Sequence, residues 1–371
     1  MNYYSIPSDF KVESVERYIK LNQRCEDKIT EVYGQLNSTE NIFGSGRTSN
    51  QLPEVTYNEL KNYISLLSRN GFSFNYTFNA SCLSNMEFTK DGQQKIITFL
   101  NRLIDAGVNS VTVCMPSLIE LIHELNLPIR IKSSTVCGVT NGEKARAYRS
   151  LGVSRLVADE SINRDFTALR QMVQVFPDDL ELIVNVICDK NCIYRPFHHN
   201  QMSHDCKYLE KSTSYYSHRC SMHRAQTPEN ILKMNFIRPE DIIHYENIGI
   251  HHYKVQGRQA AENGDILRTV EAYMMKSYEG DLLELLDCFL PTNSFRVEID
   301  NKRLDGFLLP FLQDNFCQRD CKNCNYCLSF FKKFLPYDEI DHINQIANEF
   351  YKGTDEFSRD IMEWSNKING K

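Results

Sequence analysis

Eight of the thirteen cysteines of this chain fall into two groups of four. Cys317, Cys321, Cys324 and Cys327 crowd into eleven residues, separated by three, two and two positions. Gaps this short let neighbouring thiolates converge on one centre from a single loop. Asp320, Lys322, Asn323 and Asn325 supply the polar turn residues such a loop needs. Four soft thiolates are compatible with an iron–sulfur cluster of the [4Fe–4S] kind, the leading expectation, with structural zinc, or no metal at all, as the alternatives at this C-terminal group. The second group, Cys188, Cys192, Cys206 and Cys220, is looser, with gaps of three, thirteen and thirteen. Its surroundings strengthen it: His198, His199, His204, His218 and His223 interleave with the thiols, and eight of the ten histidines lie between 198 and 252. A packed core has no need of so many soft donors. The expectation is one or two clusters, with Cys82 as a substitute ligand. Cys25, Cys114, Cys137 and Cys288 sit among apolar neighbours and read as packing residues, since free cysteine behaves as a small hydrophobe.

These side chains need a frame. Strand-like segments are expected at Ile29–Leu36, Phe72–Ala80, Ser110–Met115, Ile129–Lys132, Arg155–Ala158, Leu180–Ile187, Ile242–Tyr245 and His252–Gln256. Helix-period apolar faces lie between them. One runs through Leu60, Tyr63, Ile64 and Leu67, another through Ile97, Leu100, Leu103 and Ile104, started near Asp91 and stopped by Gly107. About eight strands alternating with helices predict an α/β fold, a TIM-like barrel that is complete or nearly so, with a doubly wound open sheet as runner-up. In a barrel the chemistry collects where strands end, and the strand ends here carry Asn79 to Cys82, Asp159 and Glu160, and Asn185 to Cys188. The expected organisation is an N-terminal helical extension over 1–28, a barrel over 29–300 and a C-terminal cysteine-cluster and helical module over 301–371. The barrel carries a Cys/His-rich insertion at about 188–239, too long for an ordinary connection.

With 371 residues, 42% of them apolar and 24% charged, the chain can bury one large core. No run approaches the roughly 18 apolar residues of a membrane span. The N-terminal stretch lacks the basic-then-apolar layout of a secretory signal. Thirteen cysteines without such a signal argue for a reducing, cytoplasmic setting, where metal ligation outweighs disulfides. A net charge of -6 gives no overall electrostatic footprint for nucleic acid.

The run Ile248-Gly249-Ile250-His251-His252-Tyr253-Lys254-Val255-Gln256-Gly257-Arg258 resembles the G-[VI]-x-x-[FL]-K-[IV]-E-G-R element of the collagenase-like peptidases, a family of unassigned catalytic type. Three further stretches are similar to that family: Val32-Tyr33-Gly34 leading to Gly46-Arg47, Asn75 to Ala80, and Glu181 to Asn185 running into Cys188. Together they cover roughly residues 29 to 275. The resemblance implies a barrel and four cysteines around a [4Fe–4S] cluster, here Cys188, Cys192, Cys206 and Cys220. It further implies kinship with oxygen-independent hydroxylases of RNA and quinone precursors, while other members carry peptidase names. Lys254 and Arg258 match the family's basic pair. Gln256 stands where the family has Glu, and Cys188 and Cys192 are closer together than the family's first two cysteines. The C-terminal quartet is no general family feature. Its first three members also share the spacing of radical SAM enzymes, but that signature follows a barrel's first strand, and this run follows the last.

Lys254, Arg258 and Arg47 are the candidate groups for an anionic substrate or cosubstrate, the ordinary alternative for Lys254 and Arg258 being a surface ion pair. Asp159 and Glu160 are candidate acid–base groups, with a capping role for Asp159 as the alternative. The reading that follows is an iron–sulfur oxidoreductase performing oxygen-independent hydroxylation of a peptide, RNA or small molecule, supplied by an electron donor or partner protein. The rivals are a metal-dependent peptidase and a non-catalytic electron relay or scaffold. No Ser/His/Asp order and no HExxH helix is recognisable.

Overall fold

The computed structural model describes residues 1–37, 43–205, 215–291 and 297–334, and scattered positions between 341 and 367, every one of them helical. Eight parallel strands alternate with helices. They are β1 (Tyr3–Pro7), β2 (Lys28–Gly34), β3 (Ser73–Phe78), β4 (Ser110–Val113), β5 (Arg130–Ser133), β6 (Leu156–Val157), β7 (Leu180–Ile183) and β8 (His252–Lys254). Their order is β5-β4-β3-β2-β1-β8-β7-β6. A parallel bridge between Lys132 and Arg155 joins the two outer strands, so the sheet closes on itself as a TIM-like barrel.

The outer layer comprises α1 (Val12–Arg24), α2 (Tyr57–Arg69), α3 (Lys90–Asp105), α4 (Pro116–Glu124), α5 (Gly142–Ser150) and α6 (Phe166–Val175). Thr56 and Glu59 form a capping box that starts α2, and Leu60, Tyr63, Ile64 and Leu67 are its buried face, as their spacing predicts. On α3 the cap is Thr89 rather than Asp91. The buried face is turned slightly from the expected one, onto Ile96, Phe99, Leu100 and Leu103. Gly107, at φ +95°, ends that helix as expected.

Two expectations are overturned. Residues 1–28 are not a helical extension alone, because β1 lies inside the sheet between β2 and β8. Ile242–Tyr245 is helix α9 (Ile242–Glu246), started by Pro239, so the eighth strand comes from the N-terminus instead. The Cys/His-rich insertion holds helices α7 (Arg195–Asp205) and α8 (Tyr215–Gln226). Beyond β8 come α10 (Ile266–Met274), α11 (Leu282–Leu286) and α12 (Tyr326–Phe331). Phe307, Phe311 and Phe331 from this last part belong to the same continuous apolar core as the barrel.

Strand alternation sends apolar side chains outward to the helices and polar ones inward. On β3, Phe74, Tyr76 and Phe78 meet Phe99 and Tyr63, while Asn75 and Thr77 face inward. The barrel interior is therefore charged. Lys132, 1% exposed, bridges Glu31 at 2.5 Å and Glu181 at 2.6 Å. Ser5 donates to Glu31, and Thr112 to Asn75. Burial alone would raise the Glu31 carboxyl, but the Lys132 charge and hydrogen bond, with help from Ser5 and Lys254, hold it down at about 2.

Candidate functional site

Above this charged layer sits Lys254, at the end of β8 and 8% exposed. Its Nζ lies 4.0 Å from the centre of the Tyr33 ring. Burial, reinforced by Lys132 and Arg258, pulls its ammonium down to about 7 against the opposing pull of Glu181 and Glu31. Arg258 is also 8% exposed, and donates through Nη1 to Gln35 at 2.5 Å and to Ser45 and Thr77 at 2.9 Å. Both side chains are buried rather than on the surface. Gly257 between them and the strand end takes φ +152°, and a Cβ there would lie 2.9 Å from both Cys288 Sγ and Ile266 Cδ1. Gln256 and Asn185 clasp one another: the Gln256 N–H donates to Asn185 Oδ1 at 2.8 Å, and Gln256 Nε2 donates to the Asn185 carbonyl at 2.8 Å.

The mouth of the barrel opens into a cavity of about 300 Å³ lined by Arg47, Cys188, Cys192, His199, Cys220 and Gln259, among others. Arg47 is steadied by Gln259, which accepts from its Nε at 3.2 Å. Asp189 faces two residues of α8, His223 at 3.1 Å and Arg224 at 3.8 Å. That pairing holds α8, and with it Cys220, against the 188–192 loop. Burial raises the thiols of Cys188 and Cys220, with Glu160 adding to the rise at Cys188 and Arg224 opposing it at Cys220. Cys206 lies outside the described residues. Cys82 is in the loop after β3, where its Sγ accepts from the Ser84 N–H at 3.4 Å.

A neighbouring cavity of about 390 Å³ brings Asp159, Glu160, Cys188, Lys190, Cys192 and Arg195 together. Arg195 clamps both carboxylates, at 2.9 and 3.1 Å to Asp159 and 3.3 Å to Glu160. Asp159 also accepts from the Ser161 N–H at 2.7 Å, so the capping role is real alongside the ion pair. His199 is kept neutral by burial and by Arg195 and Arg47, its ring pulled down to about 3. Its Nδ1 has no hydrogen-bond partner among the described residues.

The C-terminal quartet lines a third cavity, of about 180 Å³: Cys317, Cys321, Cys324 and Cys327 share it with Arg164 and Lys190. Lys190 Nζ donates to Cys317 Sγ at 2.9 Å. Burial would raise that thiol, yet the Lys190 hydrogen bond, the Arg319 N–H and the charges of Lys190 and Arg164 carry it below its ordinary value. At Cys327 burial wins and the thiol is raised. Arg164, 6% exposed, has Nε and Nη2 without hydrogen-bond partners among the described residues. Its Nη1 donates to the Leu232 carbonyl at 2.8 Å, and its guanidinium lies over Phe236, Phe307 and Phe311. A buried cation with no carboxylate partner among the described residues and four thiols lining the same cavity fits an anionic tetrathiolate centre, which would neutralise it. Among the described residues no three His, Cys, Asp or Glu side chains already form a ligand sphere, so the fit lies in donor set and charge.

Spacing singled out the thiols and strand ends Asp159 and Glu160, while the family resemblance singled out Lys254, Arg258 and Arg47. Arg195, Lys190, Arg164 and His199 were missed as partners. Lys190 had a signal, as a cation inside the Cys188–Cys192 loop, and Arg164 had none, since Asn163-Arg164-Asp165 reads as a solvated turn.

Among the described residues no helix is long and apolar enough to cross a membrane. An uncharacterized protease of Methanocaldococcus jannaschii is 28% identical over 337 residues, covering 89% of this chain and 98% of its own. The solved U32 peptidase Mk0906 superposes with a TM-score of 0.50 at 15% identity, covering 69% of this chain and 93% of that one, a likeness of fold. The family model described as Peptidase family U32 matches residues 17–280. That match spans the barrel from α1 to the helix after β8, and the chain belongs to peptidase family U32.

Proposed function

We propose that this chain is an iron–sulfur enzyme that modifies its substrate by oxygen-independent redox chemistry, hydroxylation being the transformation the resemblance to family hydroxylases favours. One observation carries the metal part of the reading: four thiols share a cavity with the buried, carboxylate-free Arg164 and with Lys190, which already donates to Cys317. Cys317, Cys321, Cys324 and Cys327 would hold one cluster, and Cys188, Cys192 and Cys220 at the barrel mouth a second, with Cys206, which lies outside the described residues, as the fourth ligand the resemblance implies. When bound, such clusters supply one-electron transfer.

The protein's own groups define the substrate space. Arg47 lines the cavity and gives the mouth a positive side suited to an anionic group, and Arg258, fixed by Gln35, Ser45 and Thr77, adds buried positive charge that acts on His199. His199 offers a neutral ring whose Nδ1, without a hydrogen-bond partner among the described residues, is available to hydrogen-bond a bound hydroxyl or amide. Arg195 bridges Asp159 and Glu160 in the neighbouring cavity that they share with Cys188. A cavity of about 300 Å³ admits a side chain, a nucleobase or a small molecule rather than a folded partner.

Anaerobic purification tests the reading. The expected material is brown, absorbs near 400 nm and holds about four or eight irons per chain with matching sulfide. Cys192→Ser and Cys324→Ser are each expected to lose half the iron of a two-cluster protein. Zinc without sulfide, or full iron retained in both variants, would refute it. Peptide hydrolysis by metal-free protein would favour the activity that the relatives' names carry.

A further inference from the structure

The two cysteine groups are far apart in sequence but meet at one residue. Lys190 lies in the middle of the Cys188–Cys192 loop, and its Nζ donates to Cys317 Sγ at 2.9 Å. It lines both the mouth-side cavity with Cys188 and Cys192 and the cavity of the C-terminal quartet. Two residues of extended chain span at most about 7 Å, so the backbone of Lys190 is within that distance of both mouth cysteines. The Cys317 sulfur is thus one lysine side chain away from the first thiol set. The quartet is also polarised. Cys321 and Cys324 are exposed, whereas Cys317 and Cys327 are half-buried on the side of Lys190 and Arg164.

We propose that Lys190 couples the two thiol centres into one electron path, from the exposed 317–327 loop to the barrel mouth. This rests on the reading that both thiol sets bind iron–sulfur clusters. A low-potential one-electron carrier protein of the flavodoxin or ferredoxin type gives up one electron and is oxidised. The C-terminal centre accepts the electron and is reduced, then passes it to the mouth centre and returns to its oxidised form. No bond is made or broken in either transfer. Lys190 is a positioning residue: it holds the inner thiol of the outer centre beside the inner loop and stabilises the added negative charge there.

The test uses the full chain, purified anaerobically with both centres loaded and reduced with dithionite. Full reduction is expected to give a spin-coupled EPR spectrum that is not the sum of those of Cys192→Ser and Cys324→Ser. Power saturation of the unmodified protein gives the same information should either variant fold poorly, because coupled centres relax faster than isolated ones. At one electron per chain, Lys190→Met should keep its iron but shift the electron about tenfold toward the mouth centre. That is the effect of losing one hydrogen bond to a charged group. Lys190→Arg should restore the distribution. A spectrum that is a plain sum with unenhanced relaxation, or an unchanged distribution in Lys190→Met, overturns the coupling while leaving two clusters in place. Full iron retained in Cys324→Ser overturns the cluster reading beneath it.

Discussion

Replacing Lys254 by Met should change how stability depends on pH, with a sign fixed by the barrel interior. Lys254 is 8% exposed, touches the Tyr33 ring at 4.0 Å and has no hydrogen bond or ion pair among the described residues. The groups around it are Lys132 and Arg258, which disfavour its charge, and Glu31 and Glu181, which favour it. Burial and the two cations win, and its pKa falls to about 7. In the unfolded chain it is about 10.4. Between those values the unfolded chain binds the extra proton, so stability rises with pH across that window. The penalty is complete below pH 7 and gone above the unfolded value. From pH 6 to pH 9 this one group should add about 2–3 kcal/mol. Lys254→Met removes the ionisable group, so the variant gains most over the parent at pH 6 and about 2–3 kcal/mol less at pH 9. Urea melts of both proteins at the two pH values measure the difference, and background histidines cancel because both proteins share them. Equal pH slopes for parent and variant would refute a depressed Lys254.

Lys132→Met leaves Glu31 and Glu181 buried without their shared counter-charge and should cost about 3–5 kcal/mol in urea melts. The Glu31 carboxyl, held at about 2 in the parent, contributes stability that is present above the ordinary carboxylate range and lost as pH falls through about 2. In Lys132→Met that loss should begin at higher pH, read as an earlier acid unfolding midpoint. Gly257→Ala should lower the melting temperature through about 1–3 kcal/mol, from positive φ and contacts at 2.9 Å with Cys288 and Ile266. Gly71→Ala, with φ +80° and open space, is the matched control and should cost less. Asn185→Ala, just past β7, strips partners from the Gln256 backbone after β8 and from the Leu286 carbonyl at the end of α11, costing about 2–4 kcal/mol by the same melts.

The strand pattern was legible where alternation is strong. Asn75 and Thr77 among Phe74, Tyr76 and Phe78 mark β3 and its polar inner face without any structure. Short apolar runs were less informative. Ile242–Tyr245 is too brief for periodicity to separate strand from helix, and the Pro239-Glu240-Asp241 start signal decided it for helix. Tyr3–Pro7 reads equally well as a leader to α1, because nothing local reveals that its partners are β2 and β8. The thiols were visible as a pattern. Their cations were less so: Lys190 shows only as a cation inside the Cys188–Cys192 loop, and the contacts with Cys317 that give it and Arg164 their meaning come from more than a hundred residues away.

The place of β1 in the sheet has a consequence for the order of synthesis. One edge of β1 finds β2 almost at once, but the other waits for β8, about 250 residues later. At roughly 5–20 residues per second, that hydrogen-bonding edge stands open for roughly 12–50 seconds on the ribosome. During that interval the nascent chain is a curved, unclosed sheet with an unpaired strand at its rim, the form most prone to pairing with a neighbouring chain. The 188–220 thiols emerge before closure and the 317–327 thiols after it. The two thiol groups therefore meet the cell at different stages: the first while the sheet is still open, the second once the barrel can close.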